Sequence, residues 1–534
     1  MRTCKPPFRR RWTAWAWLPL LLTALVRAAW LIWVPVDPLG SVDAEGFHLL
    51  SVNMLDGNGF AIGWEAPFCP TAIRTPLYPL FLAGVYGVFG RNKRAAVLVQ
   101  LLLEVVTAAG VMALTRMVAV PNSTGSAGPF RRGGRAEAFR ASVSSEIDGA
   151  RQARRGLWFL PLLAGTAYAL NGTTQRYTGF LLSENLLLPL IVLALVQTTA
   201  LLRRPTSRRA LFSAVLWALA LLTKPNVFFL VIAVGILLFG RLALEVRRSR
   251  PLRLWHNLRV GLVFAGVLFL CLAPWILRNH LSVGRWLLST AFEENIARVS
   301  AVATLAELLG VEAEPWSETW EHLYGLMATA WSPDIRPHAL LPSGTTCEAL
   351  ARRQADIAKA AHMFVLDHLG VAVKVHFRGV TRSLLDPGHR LWYHRLVGRD
   401  WATTGVVADI WRRMTWSLDR GAVGDALLAF WRERVVNIPP GPAVVWWGLM
   451  VGRVVLWWLG LRGMWRLRSR ACAALLLGGT VLYHLVLPGP IAHDRFYVSA
   501  IPAVSSLVAC GAERYNTCHR RPPREMGGLG GHHD

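Results

Sequence analysis

The segment SVDAEGFHLL (41–50) follows the first apolar run of the chain and sets two carboxylates, Asp43 and Glu45, at its end. Further ionisable residues recur at the ends of later apolar runs. Arg74 lies in IRTPLYP, Glu184 in LLSENLL, Lys224 in LLTKPN, Arg278 and Asn279 in APWILRN, and Asp494 and Arg495 in HDRFYVSAIP. Ionisable groups at membrane depth are costly to keep and tend to mark function. A single Lys or Arg at a span end is more often an anchor that reaches for head groups, and a single Glu there is more often solvated. Several cations and carboxylates from separate runs, gathered at one face, suit an anionic lipid substrate. The cations hold a phosphate and a carboxylate handles a proton. Residues 43 and 45 would lie about 200° apart around a helix, so they cannot serve the same face. We assign Asp43 to the chemistry and Glu45 to solvent or head groups.

The elements that must position these residues are membrane spans. The chain has 534 residues, is 53% hydrophobic and carries 24 tryptophans. Apolar runs of ~15 to 25 residues recur along it, long enough to cross a bilayer. The expected spans are 14–36, 95–119, 157–172, 186–202, 210–223, 226–240, 260–277, 442–461, 471–488 and 497–512. The net charge of +26 could point to nucleic acid. The Lys and Arg residues sit instead in short clusters between apolar runs, the positive-inside pattern of a multi-span protein. With ten spans, RRRW near the start, the loop 121–155 with its seven Arg, RRPTSRR (203–209), residues 241–259, RLRSR (466–470) and HRRPPRE (519–525) all fall on one side, expected to be cytoplasmic.

Residues 76–90 decide this topology. Counted as a span they would send the Arg-rich loops outward, so they are expected to form a juxtamembrane helix within an outer loop, 37–94. The first apolar run is too long for a secretory signal and lacks a small-residue cleavage site, which makes it an uncleaved span. Residues 279–440 contain no convincing span and include amphipathic stretches such as 361–380; an extracytoplasmic, mostly helical region is expected. The seven cysteines show no CxxC and neither a zinc pattern nor a disulfide framework. Cys69 and Cys347 both fall on the outer side and could meet, although the sequence gives no ground for preferring that pair. The histidines of HMFVLDH (362–368) and GHRLWYH (388–394) fit no tight metal site.

DAEGFHLLSVNMLDGNGF, RTPLYPLFLAGVYGVFG, LLSENLL, LLTKPN, APWILRN and DRFYVSAIP, in this order, resemble the GT-C membrane glycosyltransferases. The nearest branch is that of the protein O-mannosyltransferases and aminoarabinose transferases. The resemblance covers residues 12–295 and 440–512. It implies an all-α integral membrane protein, a GT-C-type multi-span bundle. An N-terminal transmembrane module (1–278) would be followed by the extracytoplasmic region (279–440), C-terminal transmembrane helices (441–512) and a cytoplasmic tail (513–534). It implies a polyprenyl-phosphate sugar donor and transfer to an acceptor hydroxyl with inversion, at the extracytoplasmic face of a cell (inner) membrane. The acceptor would be a lipid, a glycan or a protein; nucleic acid is no partner.

By the same resemblance Asp43 is the general base. Glu184 matches a second acidic position that orients the acceptor or helps hold a divalent ion. Arg278, Lys224, Arg74 and Arg495, in that order, would neutralise the departing phosphate. The cofactor stays open, since some relatives use a divalent metal ion and the residues here give no firm ligand set. Protein mannosyltransferases carry adjacent Asp-Glu in the first loop, where this chain reads Asp-Ala-Glu, and that counts against a protein acceptor. Phe47 stands where many relatives have Tyr, a change of packing. The alternative is a transporter or flippase for a lipid-linked sugar, which should show repeat symmetry and broken helices near the midplane. This chain shows no evident repeat and gathers its polar residues at one face, which favours an enzyme.

Overall fold

The structure, a computed structural model, describes residues 15–33, 36–119, 159–248, 252–311, 313, 317–331, 346–385, 417, 421–432, 440–487 and 498–512. The loop 121–155, Asp494 and Arg495, the second histidine motif and the tail 513–534 lie outside the described residues.

A chain immersed in hydrocarbon must pair its own backbone groups, and helices do so segment by segment. A helix accordingly occupies each of the ten segments expected to span. These are α1 (Trp17–Trp33), α4 (Lys93–Ala119), α5 (Phe159–Ala169), α7 (Glu184–Arg203), α8 (Ser207–Thr223), α9 (Phe228–Arg248), α10 (Leu252–Val283), α17 (Pro440–Arg466), α18 (Ala471–Val486) and α19 (Ile501–Ala512). Among the described residues, four helices are long and apolar enough to cross a membrane, spanning Lys93–Ala119, Glu184–Arg203, Pro225–Leu244 and Leu254–Val283. Helices Trp17–Trp33, Leu77–Phe89, Phe159–Ala169, Ala471–Val486 and Val498–Ala512 are apolar but shorter. The protein is a predominantly α-helical membrane protein.

Between α1 and α4 stand α2 (Val42–Leu55), a two-residue ribbon of β1 (Ala61–Ile62) and β2 (Cys69–Pro70), and α3 (Leu77–Phe89). The ribbon is antiparallel, Ala61 opposite Pro70 and Ile62 opposite Cys69. The 13 residues of α3 make about 20 Å of helix, short of a hydrocarbon layer. It packs on α2 through an edge-to-face contact of Phe47 with Tyr78 (4.9 Å) and a His48 Nδ1 to Tyr86 hydroxyl hydrogen bond (2.9 Å).

The bundle core is built on α4, α7, α8 and α19. Thr206 caps α8, its hydroxyl accepting from the Arg209 amide (3.4 Å), and the short turn folds α8 back along α7. Trp217, fully buried, donates to Thr198 (2.9 Å) between these two helices. Thr115 of α4 donates to Ser506 of α19 (2.9 Å). Helices α17 and α19 approach so closely that a Cβ at Gly463 or Gly511 would run into the partner backbone, the small-residue contact usual between membrane helices. Arg470, which opens α18, donates to the Val118 carbonyl at the end of α4, beside Arg203 at the end of α7. The arginine-bearing turns 203–209 and 466–470 thus share one end of the bundle.

One charged residue lies inside the first apolar run. Arg27 of α1 has no exposed surface. Its Nε donates to Glu104 Oε2 of α4 (3.2 Å), its Nη1 to the Ala169 carbonyl (3.0 Å), and its Nη2 to the Tyr168 carbonyl (3.4 Å) and the Thr174 hydroxyl. The Tyr168 hydroxyl donates to the same Glu104 oxygen (2.8 Å). Residues 168 and 169 end α5, where carbonyls have no partner within the helix. Arg27 caps that end, and α6 (Gly172–Tyr177) follows at once.

The described parts of 279–440 are helices: α11 (Ala291–Asn295), which runs through a π-helical turn at Ile296–Ala301 into α12 (Val302–Leu308), then α13 (Glu318–Trp331), α14 (Cys347–Asp367), α15 (Leu369–Leu385) and α16 (Val423–Trp431). Trp320, Leu323, Met327, Ile357 and Ala361 give this region an apolar core of its own. A Cys69–Cys347 disulfide joins its α14 to the β1–β2 ribbon. Arg378 of α15 grips Glu307 of α12 with two hydrogen bonds (2.9 and 3.2 Å), and Lys374 adds a third (3.1 Å).

Two outcomes follow. Arg27→Met should destabilise the protein by about 3–5 kcal/mol, since it strands the Glu104 carboxylate; the double variant with Glu104→Leu should recover part of the loss, and thermal unfolding in detergent measures both. The second concerns acid. The Arg378 hydrogen bond, opposed in part by burial and aided by Lys374, holds the Glu307 carboxyl below its ordinary 4.5. A depressed carboxyl contributes stability that is complete above its unfolded value and is lost as pH falls through its folded value. The protection of α15 against hydrogen exchange should therefore fall in acid below the ordinary value, and Glu307→Gln should remove that pH dependence.

Candidate functional site

Of the residues singled out in the sequence, Asp43, Arg74, Glu184 and Lys224 converge on the end of the bundle opposite the arginine turns. Connectivity places them there: α7 begins where α8 ends, α9 begins after a single 3-10 turn (Pro225–Val227), and α10 returns along α8 and α9. The contact of Phe229 with Phe292 (6.3 Å) brings the start of α9 against the segment that follows α10.

Asp43 occupies the first turn of α2, where the helix dipole favours a carboxylate. Ser41 caps this helix by accepting from the Ala44 amide (3.2 Å). Arg74 donates through Nη2 to Asp43 Oδ1, and its guanidinium lies over the Phe47 ring (5.3 Å). Both side chains keep partial access, 31% for Arg74 and 27% for Asp43. Glu45 is exposed. Phe47 is buried against Tyr78.

Glu184 opens α7 with no exposed surface. Lys224 donates to its Oε1 (2.8 Å) and Ser183 to its Oε2 (3.2 Å). Lys224 caps the end of α8, its amide donating to the Ala220 carbonyl, and its side chain stays 14% exposed. Asn185 completes the LLSENLL turn by donating to the carbonyls of Tyr177 (3.2 Å) and Phe180 (2.9 Å). Gln100 of α4 links this turn to α3, accepting from Tyr78 (2.6 Å) and donating to Phe180 (3.0 Å). The Leu181 amide donates to the Pro38 carbonyl just before α2 (3.0 Å). Ala44, Phe47, Tyr78, Leu181, Leu182 and Leu188 share one apolar cluster. The Asp43–Arg74 and Glu184–Lys224 pairs therefore stand on a common support.

Arg278 faces elsewhere. Its Nη1 donates to the Thr71 carbonyl (2.6 Å) and its Nη2 to the Phe60 carbonyl (2.8 Å), and the guanidinium lies over the Phe60 (5.3 Å) and Trp275 (5.0 Å) rings, which meet edge to face (4.9 Å). Asn279, fully buried, donates to the carbonyls of Leu287 (3.0 Å) and Leu288 (3.2 Å). The folded-back segment then binds the loop before Arg74: the Thr290 amide donates to Ala72 (2.9 Å) and the Ser289 hydroxyl to Ile73 (2.6 Å). The Arg-Asn pair of APWILRN fastens the loop that delivers Arg74.

Among the described residues, no group of three His, Cys, Asp or Glu is placed to hold a metal ion. Glu184 is the one acidic candidate for such a role, and its two oxygens already accept from Lys224 and Ser183. The donor set does not fit a divalent ion.

Sequence reasoning passed over Arg27 and Glu104, each a lone charge in an apolar run, and Asn226 and His484. A lone ionisable residue inside a span was the available signal for the first two and for His484. No protein-family model matches the chain, and no curated protein matches it in sequence.

Arg278→Ala should loosen residues 57–74 and 286–290, seen as faster hydrogen exchange there with the helices unchanged. Arg278→Lys should rescue this poorly, since an ammonium cannot reproduce a flat fork that holds two carbonyls while covering two rings.

Proposed function

We propose that the chain is an inverting glycosyltransferase. It moves a sugar from a polyprenyl-phosphate donor to an acceptor hydroxyl at the extracytoplasmic face of a cell membrane. The observation that carries this reading is the pairing at one end of the bundle. A partly exposed carboxylate sits on an arginine, and a partly exposed lysine is held by a fully buried glutamate, on one apolar support. A base beside fixed cations is what transfer from a phosphate leaving group requires.

In this reading the acceptor oxygen attacks the anomeric carbon while Asp43 takes its proton. The bond from that carbon to the phosphate oxygen breaks, and its electron pair leaves with polyprenyl phosphate. Arg74 and Lys224 neutralise the charge that develops, and because their partners hold them in place they need little reorganisation. Glu184 acts through Lys224. Arg278 keeps the Arg74 loop in place and adds positive potential, and Arg495 remains a proposed further cation. A GT-C-type bundle of about ten spans accommodates this arrangement. The arginine turns 203–209 and 466–470 support a cytoplasmic position for their end under the positive-inside rule, and with it an outer position for Asp43. A Cys69–Cys347 bridge next to the site agrees, since disulfides persist in oxidising compartments.

The test uses purified protein in nanodiscs with radiolabelled polyprenyl-phosphate sugars and a total membrane extract. Wild type should release polyprenyl phosphate and transfer label. Asp43→Asn should lose about 100- to 10,000-fold in turnover while still binding the donor. Undiminished turnover in Asp43→Asn would sink the assignment.

A further inference from the structure

Near Lys224 lie polar atoms that have no hydrogen-bond partner among the described residues. His484 of α18 is fully buried. Its Nδ1 donates to the Thr480 carbonyl (2.8 Å), so in the neutral ring Nε2 is a bare acceptor, and that atom has no partner. The side-chain oxygen and nitrogen of Asn226, two residues after Lys224, are also closed off and unpartnered. The two residues belong together. The Tyr483 hydroxyl donates to the Asn226 carbonyl, the Tyr483 ring stands edge-on to the His484 ring (5.2 Å), and His484 lies within electrostatic range of Lys224. Buried polar groups are almost always paired. Orphan atoms on two residues joined through Tyr483 point to hydrogen bonds supplied by a further group. A group that satisfied both would offer an O–H to His484 and would both donate to and accept from Asn226. That is the chemistry of vicinal hydroxyls. It sits beside an ammonium suited to a phosphate.

The geometry points to a sugar-hydroxyl subsite: Asn226 and His484 bind the ring hydroxyls of the donor sugar whose phosphate Lys224 holds. This rests on the glycosyltransferase reading and deepens it, since it names the residues that tell a sugar-bearing lipid from bare polyprenyl phosphate.

The experiment measures binding, not turnover. Wild type, Asn226→Ala, His484→Phe and His484→Gln in nanodiscs are titrated with polyprenyl phosphate and with a panel of polyprenyl-phosphate hexoses and pentoses. Wild type should bind one sugar-bearing lipid more tightly than the sugarless one. Asn226→Ala and His484→Phe should each erase about 10-fold of that preference and leave the affinity for polyprenyl phosphate unchanged, with His484→Gln partly restoring it. Equal affinity of wild type for sugar-bearing and sugarless lipids overturns the subsite. So does a preference that survives both substitutions, which would mean that the orphan atoms hold only a structural water. Failure of wild type to bind any of these lipids overturns the glycosyltransferase reading itself. Asn226 lies in the turn between α8 and α9, so its variant keeps the question decidable if the His484 variants do not fold.

Discussion

The bundle is organised around a single guanidinium. Arg27 has no contact with solvent, and nothing in a hydrocarbon layer would pair with it, so its partners must come from the protein. They come from α4, from the last carbonyls of α5 and from α6. A buried charge with a missing partner is far more costly than one never buried, so α1, α4, α5 and α6 have to arrive in one arrangement. The apolar contacts of the bundle could be satisfied in several registers; the four hydrogen bonds of Arg27 fit one. The end of α5 fixed in this way leads through α6 to the turn at 178–183, and that turn sets where Glu184 begins α7. A constraint inside the membrane thereby determines where the candidate site stands.

The site itself is assembled from short pieces far apart in the chain, and each is positioned by groups that do no chemistry. The carboxylate of Asp43 depends on a Ser41 cap, Arg74 on a loop held by Arg278 and residues 289–290, and Lys224 on a glutamate sealed from water. The division is one of exposure. Asp43, Arg74 and Lys224, which would handle the proton and the phosphate, keep partial access, whereas Glu184 and Asn279, which hold others in place, are wholly buried.

How much of this could be read from the sequence follows from what sequence encodes. Apolar runs report lipid burial directly, so each of the ten expected segments is a helix, with ends that differ by a few residues where polar flanks such as 252–259 continue it. Charges at the ends of runs were legible as a set, since their types and order stand in the sequence. Their partners were not. The Arg278 guanidinium suits a phosphate and a pair of carbonyls equally well, and only the fold shows that the carbonyls of Phe60 and Thr71 take it. The alternation in Asp-Ala-Glu did separate Asp43 from Glu45, because helical geometry is local; Glu45 is exposed. Arg27 and Glu104 escaped because averaging over a span hides one charge, and their pairing crosses 77 residues. The Cys69–Cys347 pair was visible as two residues but not as a bond, since closure over 278 residues leaves no local trace.

That bond has a consequence for biogenesis. A chain made from its N-terminus presents Cys69 long before Cys347. Through that interval the ribbon beside Arg74 carries an unclaimed thiol. The helices from α4 to α10 are all synthesised before the second cysteine, so the bond records that the intervening chain has been made. A product stopped short of residue 347 lacks the partner of Cys69, and its ribbon stays unjoined to the helical region.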